Sequence, residues 1–191
     1  NIPTVLIDRD IPGDSFGRVL VNNVESAHMA TKYLIEQGYS KIEMLSYDMS
    51  ITSLSDRARG YSEKMTETGL SDNINIHTID YDASEKEVIS IVKDASKRGV
   101  EAFLLPTKRI SMYVLNALMV LGMKVPSDLA LVCYDESDVY DFHRPTIPHM
   151  VQPRKEIAEQ SFFMLQRMIE GKRPEDIRLN SKLVLNGAFS S

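Results

Sequence analysis

Asp8, Arg57 and Asp135 are the residues whose types and positions could bind a small polar molecule. Asp8 closes the apolar run at 4–7, and Asp135, followed by Glu136, closes the run at 129–134. Arg57, with Gly60 and Tyr61, falls at the start of a helical pattern directly after the run at 41–46. Carboxylates accept hydroxyl hydrogens, and a guanidinium donates through a planar fork. Fixed groups of both kinds suit a neutral polyol with vicinal hydroxyls. Tyr81, just past another apolar run, has a face on which a sugar or a base can stack. Phosphate would call for several cations, and these strand ends supply one. The alternative for Arg57 is a solvated basic residue, like Arg59 beside it.

Other chemistries fit poorly. Gly13, Ser15 and Gly17 have the spacing of a nucleophile elbow, but that motif needs a strand before it and a helix after it. Arg18 to Val21 reads as a strand, so Pro12 to Ser15 reads as a turn. Asp135, Asp138 and Asp141 lack the glycine and terminal glutamate of a calcium loop. His28, His77, His143 and His149 have no ligand spacing, and there is no P-loop lysine or Gly-rich dinucleotide turn. No catalytic pair, metal or cofactor is expected. Cys133 sits in an apolar run and reads as a buried small hydrophobe rather than a nucleophile.

The elements that must position these residues alternate. Apolar runs fall at about 4–7, 18–21, 41–46, 74–79, 101–105 and 129–134, and helical periodicity at about 24–37, 54–68, 84–98, 108–121 and 154–170. Strand alternating with helix implies a doubly wound α/β fold with a parallel sheet. In such sheets ligands bind beyond the carboxyl ends of the strands, where Asp8, Arg57 and Asp135 fall. Asn23 is expected to cap the helix at 24–37. Gly122 closes the helix at 108–121 and Pro126 prevents it from restarting. That helix is apolar almost all round, which implies cover on both sides, either within the domain or by a second subunit. Pro145, Pro148 and Pro153 mark a return segment of short extended pieces, and 177–185 reads as extended.

Composition is that of an ordinary globular chain: 191 residues, 43% apolar and 26% charged. With 22 basic and 27 acidic residues the net charge is −5, which argues against this stretch gripping nucleic acid. No apolar run reaches the roughly 18 residues of a membrane span. A single cysteine cannot form an internal disulfide and fits a reducing compartment, so a cytoplasmic location is expected. Asn1 to Pro3 run straight into a strand, so the chain is expected to begin inside a domain.

These residues carry a resemblance to the effector-binding domain of the lac repressor (LacI/GalR) family of bacterial transcription regulators. The matching pieces are Pro3 to Arg9, Val21 to Asn23 with Ala30, Leu34 and Gly38, Arg57 to Tyr61, Leu121 to Pro126, Tyr134 to Glu136, and Val151 to Pro153 with the helix ending at Gly171. The resemblance implies a type I periplasmic-binding-protein-like fold of two lobes joined by three crossing strands, with a ligand cleft between them. It assigns 1–22 and 151–179 to an incomplete amino-terminal lobe with hinge strands, and 23–150 and 180–191 to the carboxyl-terminal lobe. It also implies effector contacts at Asp8, Ser53, Arg57, Tyr81, Thr107, Asp135 and Gln152.

One segment departs from the family pattern. Where the family has Ala-Asn-Asp, this chain has Pro106, Thr107 and Lys108, followed by Arg109. Two basic residues thus open a helix against its dipole, which favours an anion there. The function implied is sensing of a small polar, sugar-like effector, in a homodimer that binds operator DNA through a domain outside this chain. A periplasmic-type sugar-binding transport protein is the alternative.

Overall fold

The computed structural model of the chain describes residues 2–185. Its elements run β1 (Val5–Ile7), β2 (Gly17–Val21), α1 (Asn23–Glu36), β3 (Ile42–Tyr47), α2 (Thr52–Glu67), β4 (Asn75–Ile79), α3 (Glu85–Lys97), β5 (Ala102–Leu105), α4 (Lys108–Leu121), β6 (Ala130–Tyr134), α5 (Asp138–Phe142), β7 (His149–Val151), α6 (Arg154–Ile169), β8 (Asp176–Leu179) and β9 (Lys182–Val184). The expected placement of 186–191 lies outside the described residues.

The strands form two sheets. One has the order β1-β2-β8, all parallel. The other has the order β4-β3-β5-β6-β7-β9 and is parallel except for its antiparallel edge pair β7–β9. Strands β3, β5 and β6 are buried along their whole length, as in a sheet covered on both faces; β5 and β6 are almost wholly apolar, while β3 also buries Ser46 and Glu43, the latter paired with Arg98. One face packs on α1 and α2 through Ala27, Ala30, Leu34, Tyr61 and Met65. The other packs on α3 and α4 through Val88, Val92, Val114, Ala117 and Leu118. In the smaller sheet, Val19 and Val21 pack with Ile157 and Met164 of α6.

The chain passes between the sheets three times, after Val21, after Val151 and after Leu179. Two of these crossings are tied together. Asn22 donates its backbone N–H to the Leu179 carbonyl at 2.8 Å and its side-chain amide to Asn180 Oδ1 at 2.5 Å.

One local expectation needs correction, and of the two covers expected for α4 the described residues supply one. Asn23 is not the cap of α1; Asn22 holds that place, and no side chain caps the helix. Helix α4 is buried on one side only, because Met119 and Val120 are 74% and 60% exposed. Its largely apolar sequence therefore outruns what the described residues cover.

Candidate functional site

The candidate residues follow the ends of β1, β3, β4, β5, β6 and β7, and interactions link Asp8, Arg57, Asp135 and Gln152 at this edge. Asp8 and Asp135 are the only non-glycine residues with left-handed backbone among those described, at φ 51° and 64°. Each stands one residue past its strand. Aspartate tolerates this conformation better than most side chains, at a modest cost. Non-glycine residues in this region concentrate where a side chain must be presented to a ligand.

Arg57 lies close enough to Asp8 to act on its carboxyl. It is 4% exposed, so it is not a solvated surface residue. Gly60, three residues on, sets its position by letting α2 approach α1. A Cβ there would lie 2.1 Å from the Val24 carbonyl oxygen. Arg57 Nε donates to Asn23 Oδ1 at 2.9 Å and Nη1 to the Pro106 carbonyl at 2.5 Å. The guanidinium lies 4.3 Å over the Tyr134 ring. These contacts offset the cost of burying a charge. They also leave Nη2 without a hydrogen-bond partner among the described residues.

Asn23 is thus a site residue that sequence reasoning missed. Its side-chain amide donates to the Val21 carbonyl at 3.2 Å, and its oxygen holds Arg57. The Val21, Asn22, Asn23 motif was the available signal, but it is also what a helix cap looks like. Burial raises the Asp8 carboxyl above its ordinary value. The Arg57 charge and a hydrogen bond from Asn23 pull it back down, and the Asp135 charge adds to the rise. Asp8, Asn23, Arg57 and Asp135 therefore share one electrostatic environment although they come from both sheets.

Gln152 joins them from the second crossing, donating Nε2 to Asp135 Oδ1 at 2.6 Å. Ser53 lines a small cleft with Asp8, Asn23, Asp56 and Arg178. Thr107 is placed at the crevice edge, but its hydroxyl accepts from Ile110 N at 3.3 Å as the cap of α4. Tyr81 is half exposed beyond β4, with its ring 5.2 Å from that of Tyr47. Glu136 stands outside the group, paired with Arg154.

Cys133 is fully buried, and burial pushes its thiol up to about 12, which removes it as a nucleophile. Among the described residues no group of His, Cys, Asp or Glu could hold a metal ion. What remains is a set of donors and acceptors past neighbouring strand ends, an arrangement whose chemistry suits hydroxyl-bearing molecules.

Known proteins share this architecture. The periplasmic binding protein-like domain family matches residues 31–186. The transcriptional repressor PurR of Vibrio atlanticus is 24% identical over 177 residues, which is 92% of this chain and 53% of the repressor. The chain therefore spans about half the length of the curated relatives it matches. A candidate ribose operon repressor from Burkholderia thailandensis is 26% identical with a TM-score of 0.84, over 96% of this chain and 69% of that one. A LacI family regulator from Enterococcus faecium with bound ribose has a TM-score of 0.85 at 15% identity, over 98% of this chain and 72% of that one.

Proposed function

The chain belongs to the periplasmic binding protein-like domain family, and from that premise we propose that it is the effector-sensing part of a LacI-type transcription regulator. The observation that carries the proposal is the pair of left-handed aspartates, Asp8 and Asp135, facing one buried arginine from two different sheets. A ligand hydrogen-bonded to both closes the crevice, because one carboxylate follows β1 and the other follows β6. The part built on the three-stranded sheet and the part built on the six-stranded sheet act as two lobes, with 1–22 and 151–179 in the first. The three crossings are their hinge.

An effector changes the equilibrium between lobe arrangements only by binding one better than the other. Contacts drawn from both sheets have that property. The relatives' names favour a regulator over a transport protein, and over an enzyme. Operator DNA would be held by another part of the regulator, in the cytoplasm. No helix among the described residues is long and apolar enough to cross a membrane. The ribose bound by the Enterococcus regulator favours a sugar-like effector here.

Asp135→Asn provides the test. Asparagine keeps the shape, the left-handed preference and an oxygen for Gln152, and removes only the charge. Titration calorimetry with a sugar panel should show affinity falling about tenfold or more, as expected for loss of a charged hydrogen bond, while melting is unchanged. Unchanged affinity in the variant would remove Asp135 from the site and the proposal with it.

A further inference from the structure

The first turn of α4 carries Lys108 and Arg109 and no acidic residue. The helix dipole favours the opposite arrangement. Arg109 is held without a counter-ion: among the described residues its partners are aromatic. Its guanidinium lies 4.2 Å over the Tyr81 ring and 5.5 Å from the centre of the Tyr113 ring. Nε and Nη2 donate to the Tyr113 hydroxyl at 3.3 and 3.1 Å. Tyr47 forms the floor, with its ring 5.2 Å from that of Tyr81. Tyr47 is 5% exposed, and its hydroxyl has no hydrogen-bond partner among the described residues. The charged and phenolic groups acting on that hydroxyl are Arg109, Tyr113 and Tyr81, so it faces the same cluster. A buried donor with nothing to bond is costly unless a ligand uses it.

We propose that Arg109, Tyr47, Tyr81, Tyr113 and the amino end of α4 form a subsite for the anionic group of the effector, which is therefore a phosphate- or carboxylate-bearing sugar. The inference rests on the crevice being the effector site. Strands β4, β3 and β5 are neighbours, so Tyr81, Tyr47 and Arg109 occupy one end of the crevice, with Asp135 beyond β6 towards the other. The Pro106 carbonyl that receives Arg57 lies three residues before Arg109, which links the two parts. The anionic group then sits on Arg109 and Tyr47 while the hydroxyls lie between Asp8, Arg57 and Asp135. This division keeps the anion away from the two carboxylates.

The test pairs neutral and anionic sugars by calorimetry: ribose with ribose 5-phosphate, and glucose with glucose 6-phosphate and gluconate. The anionic member of a pair should bind about tenfold or more tightly than the neutral one. Arg109→Gln should erase that preference without changing affinity for the neutral sugar. Tyr47→Phe keeps the ring on Tyr81 and should lower anionic affinity several-fold. A phosphate ester should weaken between pH 7 and 5.5 as its dianion takes up one proton near about pH 6, whereas a sugar carboxylate should not. Equal affinity for both members of each pair, or an Arg109→Gln protein that keeps the preference, overturns the subsite and leaves the crevice standing. Absence of binding by every sugar overturns both.

Discussion

Asp8 pays for its position. Burial raises its carboxyl above the value of 3.8 it has in water, so its ionised form is held at a disadvantage. A raised carboxyl favours the fold when protonated and loses that contribution as pH rises through the folded value. At neutral pH the ionised Asp8 is therefore a destabilising group. Asp8→Asn removes the charge and keeps a residue that tolerates φ 51°. It should melt higher than the parent at pH 7, with the gain shrinking as pH falls towards 3.8. Sugar affinity should fall in the same variant. Higher stability with unaltered affinity would make Asp8 a structural liability rather than a ligand contact. Arg57 is the less clean probe of the same site. Its removal would strand Asn23 and the Pro106 carbonyl as well as the ligand, so Arg57→Ala should lose both binding and stability.

Two glycines separate what holds the elements together from what merely ends them. Gly122 closes α4 at φ 68°, and a Cβ added there would have nothing within 4 Å, so Gly122→Ala should cost only the backbone strain, about 1 kcal/mol. Gly60 is where α2 crosses α1, and its Cβ would strike backbone, the Val24 carbonyl at 2.1 Å. Gly60→Ala should cost about 3 kcal/mol, the upper end for overpacking, and should shift Arg57 as α2 moves. Denaturant melts of the two variants would give that contrast, and similar costs would refute it. The same distinction explains what could be read from sequence. Strands β3, β5 and β6 and helices α1 to α4 were legible because their apolar patterns are long and bounded by turn residues. Strand β7 and helix α5 were not: three and five residues carry no period, and Pro145 and Pro148 between them mark only a loop. Tertiary pairing makes β7 a strand, from β6 on one side and the antiparallel β9 on the other. Asp8 and Asp135 were expected just past strand ends, and they stand there. The role of Asn23 depends on Arg57 arriving from another helix, which spacing along the chain cannot show.

The far end of α4 is a candidate surface for assembly. That helix begins at the crevice with Arg109 and ends, about 15 Å along its axis, in the exposed pair Met119 and Val120. Beside them, Leu115, Met123 and Val139 line an open groove of about 710 Å³ that is mostly apolar. We propose that this surface meets a second copy of the chain, because Met119 and Val139 are exposed apolar residues lining one mostly apolar groove. Two such helices meeting about a twofold axis would cover each other's groove. Sedimentation velocity should show a dimer at micromolar concentration. Met119→Glu would place an unpaired charge in the contact and should weaken the dimer about a hundredfold or more. Sugar affinity should be unchanged in that variant, since Met119 lies at the end of α4 away from the strand ends that carry Asp135. A parent protein that sediments as a monomer at every concentration would rule this surface out. Loss of sugar binding in a folded Met119→Glu monomer would instead mean that the two ends of α4 are coupled, and that the crevice forms only in the assembled pair.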